Sequence, residues 1–409
     1  MNDATFHSAT LENGLTLIGE HLPGARSVAV GYFVGTGARD EAAEVSGVSH
    51  FLEHMLFKGT DRRSVDDINR EFDELGARYN AYTGEERTVY YAVVLPERLA
   101  QATDLLSDMM RPALRDADFA VERQVILEEI AMYLDRPHFR VFDEGNSHYF
   151  GGHPFGNSVL GSPETIGALS PEGMRSYFEE GYRPDNLLLA LVGAFDWDAV
   201  VAQVAQLAGS WPSVASGPRS LPPFVAKGGG GRLVDSGLNR VHVAAYAPGV
   251  SATDPGRYAA AVLAGVIGDS VGSRLYWALV DKGLADSASL AHSAALGYGA
   301  FLGYLSCEPE REEEVMGLFR SVVGEVAEQG PLAGEWERAQ RKLATGLMLA
   351  GETPYGRLMS LGVSYQQLEL YRSLDEVLAS VQSAPPAAAR SLLEGGALGD
   401  LFTFTLGPR

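Results

Sequence analysis

Two histidines four residues apart, His50 and His54, with Glu53 immediately before the second, fix one element of this chain before any other. On an α-helix, positions i and i+4 lie one turn apart on one face, so both rings can aim a nitrogen at one point. Glu53, three residues past His50, projects near the same face. The flanking Phe51, Leu52, Met55, Leu56 and Phe57 make the segment apolar around much of its circumference, which predicts a buried helix. Ionisable groups inside such a helix need partners. A helix with two merely satisfied histidines is the competing reading, and the apolar flanks weigh against it. Two imidazoles, a nearby carboxylate and an open position are what a hydrolytic zinc site uses.

The chain has 409 residues, which predicts two domains of about 200 residues each. With 53 acidic and 32 basic residues its formal charge is -21. That argues against nucleic acid and against an anionic membrane surface, both of which attract basic patches. Cys307 is the only cysteine, so neither an intrachain disulfide nor a cysteine metal cluster can form. The N-terminus has no basic-then-apolar leader, and no run approaches the ~18 apolar residues of a membrane span. A cytoplasmic protein is the expectation.

Period-2 and period-3.6 patterns alternate along the chain. Asn13-Gly14 reads as a hairpin turn, and residues 27–34, 79–83, 88–94 and 187–193 read as strands. Helices are expected around His50 and over 65–75, 96–110, 116–135 and 197–208. Residues 213–235, with Pro218, Pro222, Pro223 and four consecutive glycines from Gly228, read as a linker with a flexible joint. It separates a domain at 1–212 from one at 236–409. The second half begins again with the same succession of elements. A strand at 240–246 precedes a helix at 255–267, which stands where the His50 helix stands in the first half. A further helix is expected from Ser273, and long ones over 311–329 and 335–350. This is the pattern of a diverged duplication of an α+β unit, with metal-ligand spacing in one copy only.

A catalytic zinc takes three protein ligands and leaves one place for water. No other histidine has paired spacing, so a carboxylate is expected. Glu122 and Glu129 are seven apart, two helical turns, with Val125 and Ile126 between them. Spacing alone does not separate Glu129 from Glu128, nor a ligand from a solvated acidic face.

His50-Phe51-Leu52-Glu53-His54, followed by Glu122-Arg123-x-Val125-Ile126-x-x-Glu129, resembles the pitrilysin/insulinase (inverzincin) family of zinc metallopeptidases, nearest its mitochondrial processing peptidase-like bacterial branch. Gly76 to Thr83, His153-Pro154-Phe155-Gly156, Tyr182 to Leu187 and Ser273-Arg274-Leu275-Tyr276 match further landmarks, so the similarity covers nearly the whole chain. The resemblance implies an α+β fold of two homologous domains forming a clamshell half. It implies one Zn2+ per chain held by His50, His54 and Glu129, with Glu53 as general base and Glu122 orienting a ligand. Asn80 and Ala81 would lie beside an extended peptide substrate added to a sheet edge.

One stretch departs from the pattern. Active relatives carry an Arg and a Tyr seven apart in the second domain, which bind substrate and stabilise the transition state. Here the Tyr position reads Asp286, and the Arg position falls on Leu279 or Val280. In processing-peptidase-like heterodimers a homologous subunit without the zinc motif can supply that pair. The reading is therefore a zinc endopeptidase subunit that cleaves unfolded peptides or presequence-like segments, with such a partner; a homodimer is the alternative. The rivals are a non-catalytic structural or binding subunit and a metallohydrolase acting on something other than peptides.

Overall fold

A computed structural model describes residues 4–213, 221–399 and 401–409. Two sheets organise it. The first contains β1 (Thr5–Thr10), β2 (Thr16–His21), β3 (Val28–Val34), β4 (Arg78–Thr83), β5 (Thr88–Val94) and β6 (Leu187–Gly193), in the order β1-β2-β6-β3-β5-β4. β2 and β6 run parallel and the other neighbours antiparallel. β3 and β6 are buried along their whole length, which matches their unbroken apolar runs. The second sheet contains β7 (Gly229–Val234), β8 (Val241–Pro248), β9 (Ser287–Ala295), β10 (Tyr298–Cys307) and β11 (Phe402–Gly407), in the order β7-β11-β8-β10-β9, with β7 parallel to β11.

The second order repeats the first strand for strand once β1 is set aside. β7, β11, β8, β10 and β9 answer to β2, β6, β3, β5 and β4, including the single parallel pair. Helix α1 (Val48–Leu56) lies between β3 and β4 in sequence, and the helix Arg257–Gly268 lies between β8 and β9. The internal duplication expected from the sequence is therefore present as topology.

The compact units are not contiguous in sequence. One comprises Met1–Met132, Asn157–Ser220 and Ala350–Tyr371; the other comprises Tyr133–Gly156, Leu221–Leu349 and Arg372–Arg409. Relative to halves at 1–212 and 236–409, two helices change places. Pro137–Phe150 packs on β8 and β11, where Tyr149 stacks on Tyr246 at 4.8 Å and a Cβ at Gly145 would fall 2.6 Å from the Tyr246 hydroxyl. Pro354–Leu368 packs on β3 and β6. There a Cβ at Gly362 would fall 2.2 Å from the Phe33 ring, and Arg357 forms a buried two-point ion pair with Glu20 at 2.8 and 2.6 Å.

One local expectation is corrected. Residues 214–220 of the expected linker, Pro218 among them, lie outside the described residues. Gly229, Gly230 and Gly231, however, belong to edge strand β7 rather than a flexible joint. A Cβ at Gly231 would fall 2.8 Å from the Phe404 ring, so glycine there lets two strands and a ring pack closely. The helix expected from Ser273 is present but short: Arg274 to Val280 are helical, and the last five residues, Tyr276–Val280, form a π-helical turn. Among the described residues no helix is long and apolar enough to cross a membrane.

Candidate metal and catalytic site

The start of α1 is pinned before its histidines are reached. Gly47 sits at φ 91°, and a Cβ there would fall 2.5 Å from the Leu160 carbonyl oxygen, so only glycine fits. The buried Glu41 carboxylate accepts the backbone N–H groups of Gly47 and Ser49, both at 2.7 Å, and so caps the helix from outside. Burial pushes the Glu41 carboxyl up to about 8 against those two bonds, and the nearby Asp40 adds to the rise. Val48, Phe51, Leu52, Met55 and Leu56 bury one side of α1. Phe51 stacks on Phe119 at 4.7 Å and so ties α1 to helix α4 (Asp116–Leu134). Helices α2 (Val65–Glu74) and α3 (Leu99–Met109) lie between them in sequence.

That packing brings the predicted ligands together. One donor atom each from His50, His54 and Glu129 lies within 4.8 Å of the others. Glu129 Oε2 is 3.3 Å from His54 Nε2 and 3.8 Å from His50 Nε2. Atoms bound at about 2.0–2.1 Å around a tetrahedral ion stand about 3.3 Å apart, so small adjustments would let the three close on one zinc. Glu128, left open by the sequence, is exposed and outside the cluster. The donor set suits zinc, with two imidazoles and one carboxylate. His50 is buried, and its Nδ1 has no hydrogen-bond partner among the described residues.

The two imidazoles differ in charge preference. Burial, reinforced by the neighbouring His54, lowers His50 to about 4, with Glu129 opposing. Burial also disfavours charge on His54, but the Glu122 and Glu129 carboxylates outweigh it and hold that ring up to about 9. His54 Nδ1 lies 2.9 Å from Glu122 Oε1. Burial would raise Glu122, but His54 and Lys58 more than offset it and keep its carboxyl low, hence ionised. A carboxylate can only accept, so Nδ1 donates and Nε2 is left for the cluster.

Glu53 stands apart from the ligand set. Its Oε2 accepts the Thr83 hydroxyl at 2.6 Å, and burial raises its pKa. Thr83 ends β4, the strand of Asn80 and Ala81. β4 closes its sheet and, among the described residues, pairs only with β5. Asn80 is exposed and Ala81 buried, so one edge of backbone leads to the carboxylate. Thr83, Lys58 and Glu41 were not singled out in the sequence. Lys58 carried a signal, since it lies four residues beyond His54.

Leu279, Val280 and Asp286 lie in the second unit. Leu279 is fully buried in the apolar core and Val280 packs against it. Asp286 is exposed and forms an ion pair with Arg240 at 3.0 Å.

Comparison with known proteins identifies the family. Residues 16–163 match the family profile described as Insulinase (Peptidase family M16), and residues 168–343 match that described as Peptidase M16 inactive domain. A protein named an uncharacterized zinc protease from Mycobacterium leprae is 36% identical over 91% of this chain and 85% of its own length. One of the same description from Streptomyces coelicolor is 34% identical over 95% and 86%. In fold, a protease from Helicobacter pylori superposes with a TM-score of 0.90 at 19% identity, covering 99% of this chain and all of its own. A Pseudomonas fluorescens structure, described as a peptidase M16 inactive domain, gives 0.90 at 18% over 99% and 98%. The chain belongs to the insulinase family of peptidases, family M16.

Proposed function

We propose that this chain is a zinc-dependent endopeptidase subunit acting on extended, unfolded peptides, including presequence-like segments. The observation that carries the reading is the division of labour around α1. His50, His54 and Glu129 converge, while Glu53 is excluded from that cluster and instead meets Thr83 at the end of an edge strand. The name zinc protease given to the relatives supports it.

His50, His54 and Glu129 would hold one Zn2+, which when bound polarises a carbonyl and lowers the pKa of water. Glu53 accepts the proton of the attacking water and returns it to the leaving amine. Its raised pKa brings its basicity closer to neutrality, where a general base works best. The Thr83 hydroxyl fixes the carboxylate. β4 receives the peptide by backbone pairing along Asn80 and Ala81, which reads main chain rather than side chains. A homologous subunit without the zinc motif supplies the Arg and Tyr that Leu279, Val280 and Asp286 do not.

The test measures zinc content and peptide cleavage for this chain, for such a partner and for the mixture. One zinc per chain, weak cleavage alone and a rise of about a hundred- to a thousandfold in the mixture are expected, the size seen when one oxyanion-stabilising donor is restored. Full activity alone removes the partner from the reading. The buried Leu279 and ion-paired Asp286 favour a second reading, a non-catalytic subunit. Stable association with a partner and no cleavage in the mixture would establish it.

A further inference from the structure

Lys58 follows α1 by two residues, one turn beyond His54. Its Nζ lies 2.6 Å from Glu122 Oε2, and the other oxygen of that carboxylate, Oε1, lies 2.9 Å from His54 Nδ1. Glu122 is 3% exposed, and its carboxylate meets His54 through Oε1 as a hydrogen bond and Lys58 through Oε2 as a close ion pair outside hydrogen-bond geometry. The Lys58 side chain is 33% exposed, so its amine reaches inward from solvent to a buried acid.

We infer that Lys58 is a positioning residue for the metal-binding set proposed above: by clamping Glu122 it fixes the His54 ring with Nδ1 as donor and Nε2 turned toward the ion. The inference rests on that functional reading. A buried carboxylate held by one donor can swing about its terminal torsion, which is broad and roughly two-fold. A second grip on the opposite oxygen removes that freedom. The ring held by Glu122 then keeps one tautomer and one orientation.

Simple electrostatics predicts the opposite consequence. A positive charge beside a cation site repels the cation, so removing it should tighten binding. Positioning predicts weaker binding, and the sign decides.

The experiment uses the full chain, stripped with chelator. Its zinc dissociation constant is measured at one pH by competition with a chromophoric chelator. The variants are Lys58→Gln, Lys58→Met, Lys58→Arg, Glu122→Gln and the Lys58→Gln/Glu122→Gln pair, with the melting temperature of each stripped protein recorded. Lys58→Gln and Lys58→Met should each bind zinc about ten- to a hundredfold more weakly, as changes to groups that orient ligands do. Each stripped variant should still unfold cooperatively, and Lys58→Arg should recover most of the affinity. The pair should be no weaker than Glu122→Gln alone, because the clamp then has nothing to hold. Unchanged or tighter zinc binding in Lys58→Gln and Lys58→Met, or effects that simply add in the pair, would overturn the inference. An unaltered chain that takes up no zinc would overturn the functional reading itself, before any variant is compared.

Discussion

The two halves share five strands in one order but differ in the helix that follows the central strand. In the first, α1 carries His50, Glu53 and His54. In the second, the helix Arg257–Gly268 reads Arg-Tyr-Ala-Ala-Ala-Val-Leu-Ala-Gly-Val-Ile-Gly, and eight of its residues are buried. A Cβ at its last residue, Gly268, would fall 2.2 Å from the Leu290 backbone nitrogen, so that helix closes directly on edge strand β9. Beside α1, the corresponding strand β4 instead offers Thr83 to Glu53. The architecture therefore needs no polar group at this position. The imidazoles and carboxylate of the first half are an addition to the fold, and a buried ionisable cluster disfavours folding unless something binds it. That difference is the strongest internal argument for a metal.

The contrast can be broken most completely at the histidines. A His50→Ala, His54→Ala double variant should lose all zinc by metal analysis, and cleavage should fall to background. If one zinc per chain remains, the metal sits elsewhere and the asymmetry between halves means nothing for chemistry. Glu53→Gln comes next. Turnover should drop about a hundred- to ten-thousandfold, the usual contribution of a general base, with zinc content unchanged. Loss of zinc would make Glu53 a ligand instead.

A smaller effect separates the two helices by their starts. Glu41 caps α1, and its carboxyl, raised to about 8, binds a proton more tightly in the folded chain than in the unfolded one. Its stabilising contribution is complete below about 4.5 and is lost as pH rises toward 8, on the order of a few kcal/mol across that window. Denaturant unfolding at several pH values should show this slope, and Glu41→Gln should flatten it. An unaltered slope would mean the cap is not the titrating group. The smallest effect compares β7 with β2. Gly231→Ala should lower stability by about 1 kcal/mol, because the methyl meets the Phe404 ring in an edge strand that can partly yield. A stability gain would restore the sequence reading of a joint.

The legible regions of the molecule are those set by local pattern. The His50 helix, strands Thr88–Val94 and Leu187–Gly193 and helix Trp197–Ala208 follow from periodicity and punctuation within a dozen residues. The convergence of Glu129 with the histidines is suggested by seven-residue spacing and resemblance; the choice against Glu128 needs the packing of α4. The exchanged helices are illegible because their reasons are distant. Gly362 matters through Phe33, and Arg357 through Glu20, which is 337 residues earlier. β9 and β10 escape notice because small residues such as Ala288, Ala291, Gly299 and Gly303 blur the alternation that marks a strand. Lys58 is in plain view in the sequence but has no meaning until Glu122 stands beside it.

The helix Pro354–Leu368 has a consequence for how the protein is made. During synthesis the first sheet is complete in strands once Gly193 has emerged, yet one face of β3 and β6 still lacks its cover. Ile18, Ala29, Phe33, Leu188, Ala190 and Val192 belong to the apolar cluster that Leu358 and Leu361 complete. Roughly 165 further residues must be translated before those two arrive, and at about 5–20 residues per second that is an interval of roughly eight to thirty seconds. Throughout it the nascent chain presents a broad sticky face, and a release at residue 212 would leave that face bare for good. The late helix thus makes quality control a matter of completeness: a chain cut short anywhere before it stays recognisable as unfinished.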